Sequence, residues 1–289
     1  MNLKLKIIIA SSLGLLATIF PQKISQSQTQ ETIIRREEIF VGVREDSYWF
    51  GSRNDKGERE GYCIDIAYAL RERLSANQLE PIRVRFVTST VQSRWDMVKS
   101  GMVDLECGPN TISTEREEKY GVNFSAPFFV TATQVLAKRG REEQDVNAGN
   151  AIVGVVKNTS NESDLKSAYP EEQIENKFLT RQQGISALVD GEVNGFASDG
   201  TLLLGLAWSM NLDMEKDYTF VTINQEDGRP FCAGYGFILP GGEENSSWQR
   251  YINDFLAHDR KAKRIRQKWL LEGISENSQR LYDACSQES

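Results

Sequence analysis

Two short β-branched runs stand out along the chain. Ile39-Phe40-Val41-Gly42-Val43 stops at the polar Arg44-Glu45-Asp46, and Ile152-Val153-Gly154-Val155-Val156 stops at Lys157-Asn158-Thr159-Ser160. Continuous apolar runs of this length, each bounded by polar residues, predict buried central strands. A second pair of segments echoes the first: Met97 to Asp104 and Ala187 to Asn194 each read as a helix end, a glycine (Gly101, Gly191) where the chain can turn, and a strand. Apolar stripes at helical spacing fill the intervals, Ile64, Ala67, Leu70 and Leu74 on one, Trp248, Tyr251, Ile252, Phe255 and Leu256 on another. Strands alternating with helices predict an α/β protein, and the repeated order predicts two lobes, each a mostly parallel sheet flanked by helices. Ligands of such sheets bind beyond the carboxyl ends of the strands, so the polar residues after each run are the candidates for chemistry.

The first residues change the setting. Lys4 and Lys6 precede an apolar stretch from Ile7 to Phe20, and a polar run from Gln22 to Gln30 follows. This is the pattern of a secretory signal peptide, expected to span residues 1–27, with an uncleaved membrane anchor as the alternative. That segment holds Lys4, Lys6 and Lys23 and no acid, so its removal leaves 31 of the 34 basic residues against 41 acids, a net charge of −10. An exported chain so acidic is expected in the periplasm and is a poor partner for nucleic acid. With 289 residues and 39% hydrophobic content it is long enough to bury a core in each lobe, and a monomer is expected.

Cys63, Cys107, Cys232 and Cys285 are even in number and far apart, without the spacing of a zinc or redox motif. Export favours disulfides. Three pairings are open; one of them staples the C-terminal tail through Cys232–Cys285 and leaves Cys63 with Cys107, and four free thiols are the alternative. The single histidine, His258, has no metal-ligating neighbour at useful spacing, and no nucleophile elbow, phosphate loop or dinucleotide fingerprint occurs. No cofactor or metal is expected.

The run from Val103 through Cys107-Gly108-Pro109-Asn110-Thr111 to Glu115-Arg116, followed by Phe124-Ser125-Ala126-Pro127-Phe128-Phe129, resembles the signature of family 3 of the extracellular solute-binding proteins, the amino-acid receptors of ABC importers. Gly42-Val43-Arg44-Glu45, Gly61-Tyr62, Arg94 seven residues before Gly101, and Glu106-Cys107-Gly108 carry the likeness further, toward the glutamate/aspartate-binding members. It covers about Ile39 to Trp269. Cys63 stands where the family normally has an acid.

The resemblance implies a type II periplasmic-binding-protein fold whose lobes, 35–130 with 232–285 and 131–231, close on a free L-amino acid and deliver it to membrane permease subunits. It also implies roles. Arg116 would grip the ligand α-carboxylate, for which the planar, permanently charged guanidinium fork is suited. The Asn158-Thr159-Ser160 turn would add backbone N–H groups and hydroxyls at a helix N-terminus, with a plain helix cap as the alternative for Thr159 or Ser160. Asp199 would receive the α-ammonium, its alternative also being a cap, and Thr111 would touch the same ligand atoms. Arg44, Arg94 and Arg181 would read the ligand side chain, Arg181 replacing a histidine. Val91 and Pro109 replace serines, so an amide or hydroxyl ligand remains open beside an acidic one. Tyr48 and Trp49 are expected to wall the pocket, and Phe50 to wall it or join the core.

Two further classes stand against a transport receptor. Some two-lobed relatives of this fold are dehydratases or cell-wall lytic enzymes, which need an acid/base pair poised near neutral pH. A sensor module would need a domain to carry its signal.

Overall fold

The β-branched run at the front of the chain becomes β1 (Glu38–Val43), with Ile39, Val41 and Val43 buried, between a preceding helix α1 (Gln28–Arg36) and a two-stranded hairpin, β2 (Ser52–Arg53) and β3 (Arg59–Glu60). The computed structural model describes residues 28–272 and 276–286. The expected signal segment, 1–27, lies outside the described residues.

Helix α2 (Tyr62–Ser75) packs on β1 through the expected stripe, Ile64, Ala67, Leu70 and Leu74. Then come β4 (Arg83–Thr88), α3 (Arg94–Lys99), β5 (Leu105–Cys107), α4 (Thr114–Tyr120) and β6 (Val122–Phe124). The long β7 (Phe129–Lys138) leads to the second unit: α5 (Arg141–Asn147), β8 (Val153–Val156), α6 (Ser160–Ala168), β9 (Ile174–Phe178), α7 (Arg181–Asp190), β10 (Gly195–Asp199), α8 (Gly200–Ser209) and β11 (Tyr218–Thr222). The chain returns through β12 (Cys232–Tyr235) to β13 (Ile238–Pro240), α9 (Ser246–His258), α10 (Arg260–Arg266) and α11 (Glu276–Ser286).

The first sheet has the order β4-β1-β5-β13-β6 and the second β11-β7-β10-β8-β9. Each sheet is mostly parallel, as expected, with one reversed strand along its path, β13 in the first and β7 in the second. In the first, β4, β1 and β5 run parallel, with Val41 opposite Phe86 and Leu105, and the returning β13 lies antiparallel to β5 and β6. In the second, β9, β8 and β10 are parallel, while β7 enters from the other unit and pairs antiparallel with β10 and β11. The helical crossovers make the parallel trios; the strands that travel between units arrive from the opposite end.

β7 pairs with β12 over Phe129–Ala132 and with β10 and β11 over Thr133–Lys138. Two disulfides, Cys63–Cys107 and Cys232–Cys285, take the pairing that staples the tail. The first ties the start of α2 to the end of β5, and its 44-residue separation corresponds to about 4 kcal/mol in the chain-entropy picture. The second holds α11 against β12, where Tyr282 packs on Phe129 with ring centroids 5.6 Å apart.

Candidate functional site

Each expected site residue sits at or just beyond a strand end. Arg44 follows β1, Arg94 opens α3, Thr111 and Arg116 flank the start of α4, Thr159 caps α6, Arg181 opens α7 and Asp199 ends β10. Strand ends from both sheets therefore face one cleft, and direct contacts cross it. Thr111 Oγ1 and Ser160 Oγ are 3.0 Å apart, and Gln92 Nε2 donates to the Leu179 carbonyl at 3.3 Å. Trp49 is buried against Trp208 of α8, with ring centroids 5.3 Å apart. Gly205 on the same helix permits this approach, because a Cβ there would lie 2.7 Å from Tyr48 Cβ.

Three arginines form the deep end. Arg44, Arg94 and Arg181 are 2%, 3% and 5% exposed. Arg44 Nη2 donates to Asp46 Oδ2 at 2.5 Å, Arg94 Nη1 to Asn110 Oδ1 at 2.7 Å, and Arg181 Nε to Ser198 Oγ at 2.8 Å. Four buried guanidinium nitrogens, Arg44 Nε and Nη1, Arg94 Nε and Arg181 Nη1, have no hydrogen-bond partner in the chain. Burial and the neighbouring Arg44 bring Arg94 down to about 9, and the same two causes lower Arg181. Both stay protonated near neutral pH. Burial opposes ionisation of Asp46, but Arg44 and Arg181 outweigh it and hold that carboxyl below its ordinary value.

A fully buried carboxylate balances part of this charge. Glu106 accepts from Ser89 Oγ at 2.6 Å and from Asn110 Nδ2 at 2.5 Å, and Asn110 in turn accepts from Arg94. An ionised carboxylate only accepts, so it fixes which way the Asn110 amide points and thereby seats Arg94. Gly108 leaves room for this packing, since a Cβ there would be 2.8 Å from Arg44 Cγ. Trp95 lies beneath two of the cations, its ring 4.5 Å from the Arg94 guanidinium carbon and 5.8 Å from that of Arg116.

The shallow end is better satisfied. Arg116 Nη1 donates to the Thr111 carbonyl at 3.2 Å; burial lowers its pKa, while Tyr120, Asp199 and Asp164 oppose that shift. Thr159 donates to the Val156 carbonyl at 2.7 Å and accepts from Glu162 N, so its hydroxyl serves as the cap of α6. Ser160 is the hydroxyl of this turn that reaches across the cleft. Asn158 has φ 63°, a conformation asparagine tolerates and glycine favours. Asp199 makes no cap hydrogen bond to α8; its Oδ1 accepts from Asn161 Nδ2 at 3.2 Å, and it is 2% exposed. Beside it, burial and the Asp199 charge raise Asp164 to about 6.

Tyr48 is half-exposed at the mouth, with its ring edge-on to Trp49. Phe50 belongs to the core, fully buried against Phe128, Phe129 and Tyr235. His258 is exposed on α9 and pairs with Asp254. Among the described residues no cluster of His, Cys, Asp and Glu could hold a metal ion, and no helix is long and apolar enough to cross a membrane. The sequence reading missed Ser89, Trp95, Ser198 and Tyr235, which support the cations or lie among them. It quoted Glu106 and Asn110 only as part of a motif.

Two α/β units with strand ends facing a shared cleft define a two-lobed ligand-binding protein of the type II periplasmic class. The sequence matches the profile of the bacterial extracellular solute-binding proteins, family 3, over residues 39–272, and the chain belongs to that family. It is 27% identical to an ABC transporter glutamine-binding protein of Bacillus subtilis (strain 168), over 88% of this chain and 89% of that one. It is 28% identical to a glutamate/aspartate import solute-binding protein of Escherichia coli (strain K12), over 61% and 60% of the two chains. Both relatives are named as binding proteins and neither as an enzyme. Among solved structures, an ABC uptake transporter substrate-binding protein from Streptococcus pneumoniae with bound histidine superposes with a TM-score of 0.69 at 18% identity, covering 85% of this chain and 97% of that one.

Proposed function

We propose that this protein is an exported receptor that captures a free L-amino acid with an acidic side chain and passes it to the permease subunits of an ABC importer. The supporting observation is the deep end of the cleft, where three buried arginines present four guanidinium nitrogens without partners. A buried donor left unpaired is costly, and a buried unpaired cation more so, so the site favours a ligand that brings an anion to it. Arg116, Ser160 and Asp199 are suited to the α-carboxylate and α-ammonium that every amino acid carries. The relatives named for glutamine and for glutamate/aspartate bracket the same size class. A neutral amide is the second reading, favoured by the glutamine-named relative.

Binding would close lobe 35–130 with 232–285 onto lobe 131–231 by bending β7 and β12, which pair with each other between the two sheets. Residues 1–27 are assigned as the signal that exports the chain to the periplasm. Mass spectrometry of the amino acid that co-purifies with native protein tests the reading: glutamate or aspartate is expected, and lysine or arginine would contradict it.

A further inference from the structure

Asp164 on α6 is joined to Asp199 by a chain of hydrogen bonds. Its Oδ2 accepts from Thr133 Oγ1 at 2.5 Å, that hydroxyl oxygen accepts from Asn161 Nδ2 at 2.8 Å, and the same amide nitrogen donates to Asp199 Oδ1 at 3.2 Å. Thr133 and Asn161, the two links, are fully buried. The direction of the chain is set at its Asp164 end. While the Thr133 proton points to that carboxylate, the hydroxyl oxygen is left to accept, so Asn161 turns its NH2 side, and hence a donor, toward Asp199.

The charges acting on Asp164 are those of the same site: Asp199 at the end of β10, and Arg116 of α4 across the cleft. Other charged residues nearby are paired among themselves. On its own helix Glu162 holds Lys166 at 2.9 Å, on β9 Glu175 pairs with Lys177, and β8 carries no charged residue. Two carboxylates beside one guanidinium make a place for a second cation, the charge that an α-ammonium brings.

We infer that Asp164 is a positioning residue of the α-ammonium subsite, acting through Thr133 and Asn161 to aim the Asp199 carboxylate and adding a second negative charge to the field that holds the ammonium. The inference rests on the proposed function only through the assignment of Asp199 to the α-ammonium. Burial and the Asp199 charge raise Asp164 to about 6. An ammonium nearby favours the ionised form, so ligand binding is linked to proton release and affinity falls on acidification.

Calorimetry at pH 7.5 and 5.5 with L-glutamate and with glutarate, which lacks the amino group, tests this on wild type, Asp164→Asn and Thr133→Val. Wild-type affinity for glutamate is expected to fall about fourfold at the lower pH, the amount set by a group titrating near 6, and affinity for glutarate not to fall. D164N should bind glutamate about tenfold more weakly at pH 7.5, without the fall on acidification, and glutarate no more weakly than wild type does. T133V keeps the side-chain shape and breaks the chain of bonds; it should lose about fivefold for glutamate and clearly less for glutarate. A merely structural role would weaken both ligands in parallel and leave the pH dependence in place, so parallel losses, or an unchanged pH dependence in D164N, overturn the inference. Wild type binding glutarate as tightly as glutamate overturns the ammonium assignment of Asp199, and the inference with it. Wild type binding L-glutamine and not L-glutamate overturns the acidic reading alone, and glutamine with glutaramate then forms the pair for the same comparison.

Discussion

The two ends of the cleft use arginine differently. At the shallow end Arg116 is braced by the Thr111 carbonyl, Thr159 caps α6 and Asp199 is held by Asn161, so these groups are largely satisfied by the chain. At the deep end Arg44, Arg94 and Arg181 each bond the protein through a single nitrogen and keep others unpaired, with Glu106 supplying a buried counter-charge through Asn110. A satisfied end can serve any amino acid. An end that holds buried guanidinium nitrogens without partners penalises every ligand that does not bring an acceptor to them, so under the proposed function selectivity would reside there.

Substitutions at the two ends should therefore fail in different ways. The largest effect is expected for Arg94→Met, which removes a buried cation seated by Asn110: glutamate and aspartate affinity should fall by about 3 kcal/mol, more than a hundredfold, and glutamine affinity by much less. Equal losses on calorimetry would erase the distinction between the ends. Arg116→Ala should weaken all amino-acid ligands alike, by at least about tenfold, because it removes a charge-assisted contact to the shared carboxylate. Selective loss for one ligand would move Arg116 into the specificity end.

A smaller effect is expected at Asp164, which accepts from Thr133 and lies beside Asp199. Its pKa of about 6 in the folded chain is above the ordinary 3.8, so the folded state holds the proton more tightly. That contribution to stability is fully present below about pH 4 and is lost as pH rises through about 6. Asp164→Asn removes the penalty, so the variant should unfold at a higher temperature than wild type at pH 7, by an amount on the order of 1 kcal/mol, with the gap narrowing toward pH 4. A gap that widens on acidification would show that the carboxylate is stabilised by its surroundings.

The comparison also explains what could be read along the chain. The strands at Ile39–Val43 and Ile152–Val156 and the apolar stripe of α2 are local patterns, and they persist in the fold as β1, β8 and a buried helix face. The antiparallel strands were not legible, because the direction in which β7 and β13 enter their sheets depends on the path between units and not on their own residues. Part of the shallow end, from Thr111 to Arg116, is one contiguous motif. The deep end depends on chain-distant neighbours: Ser89 meets Glu106, and Tyr235 lies near Arg94, Arg181 and Asp199. Phe50, open to two readings in the sequence, joined the core because Phe128, Phe129 and Tyr235 close around it.

The central claim is that the unpaired guanidinium nitrogens of Arg44, Arg94 and Arg181 select an anionic side chain, and calorimetry of ligand-stripped wild-type protein over a panel of free amino acids tests it most directly. The expected order is glutamate and aspartate first, glutamine and asparagine next, lysine and arginine last. Tight binding of lysine or arginine, or equal affinity for glutamate and glutamine, would contradict it.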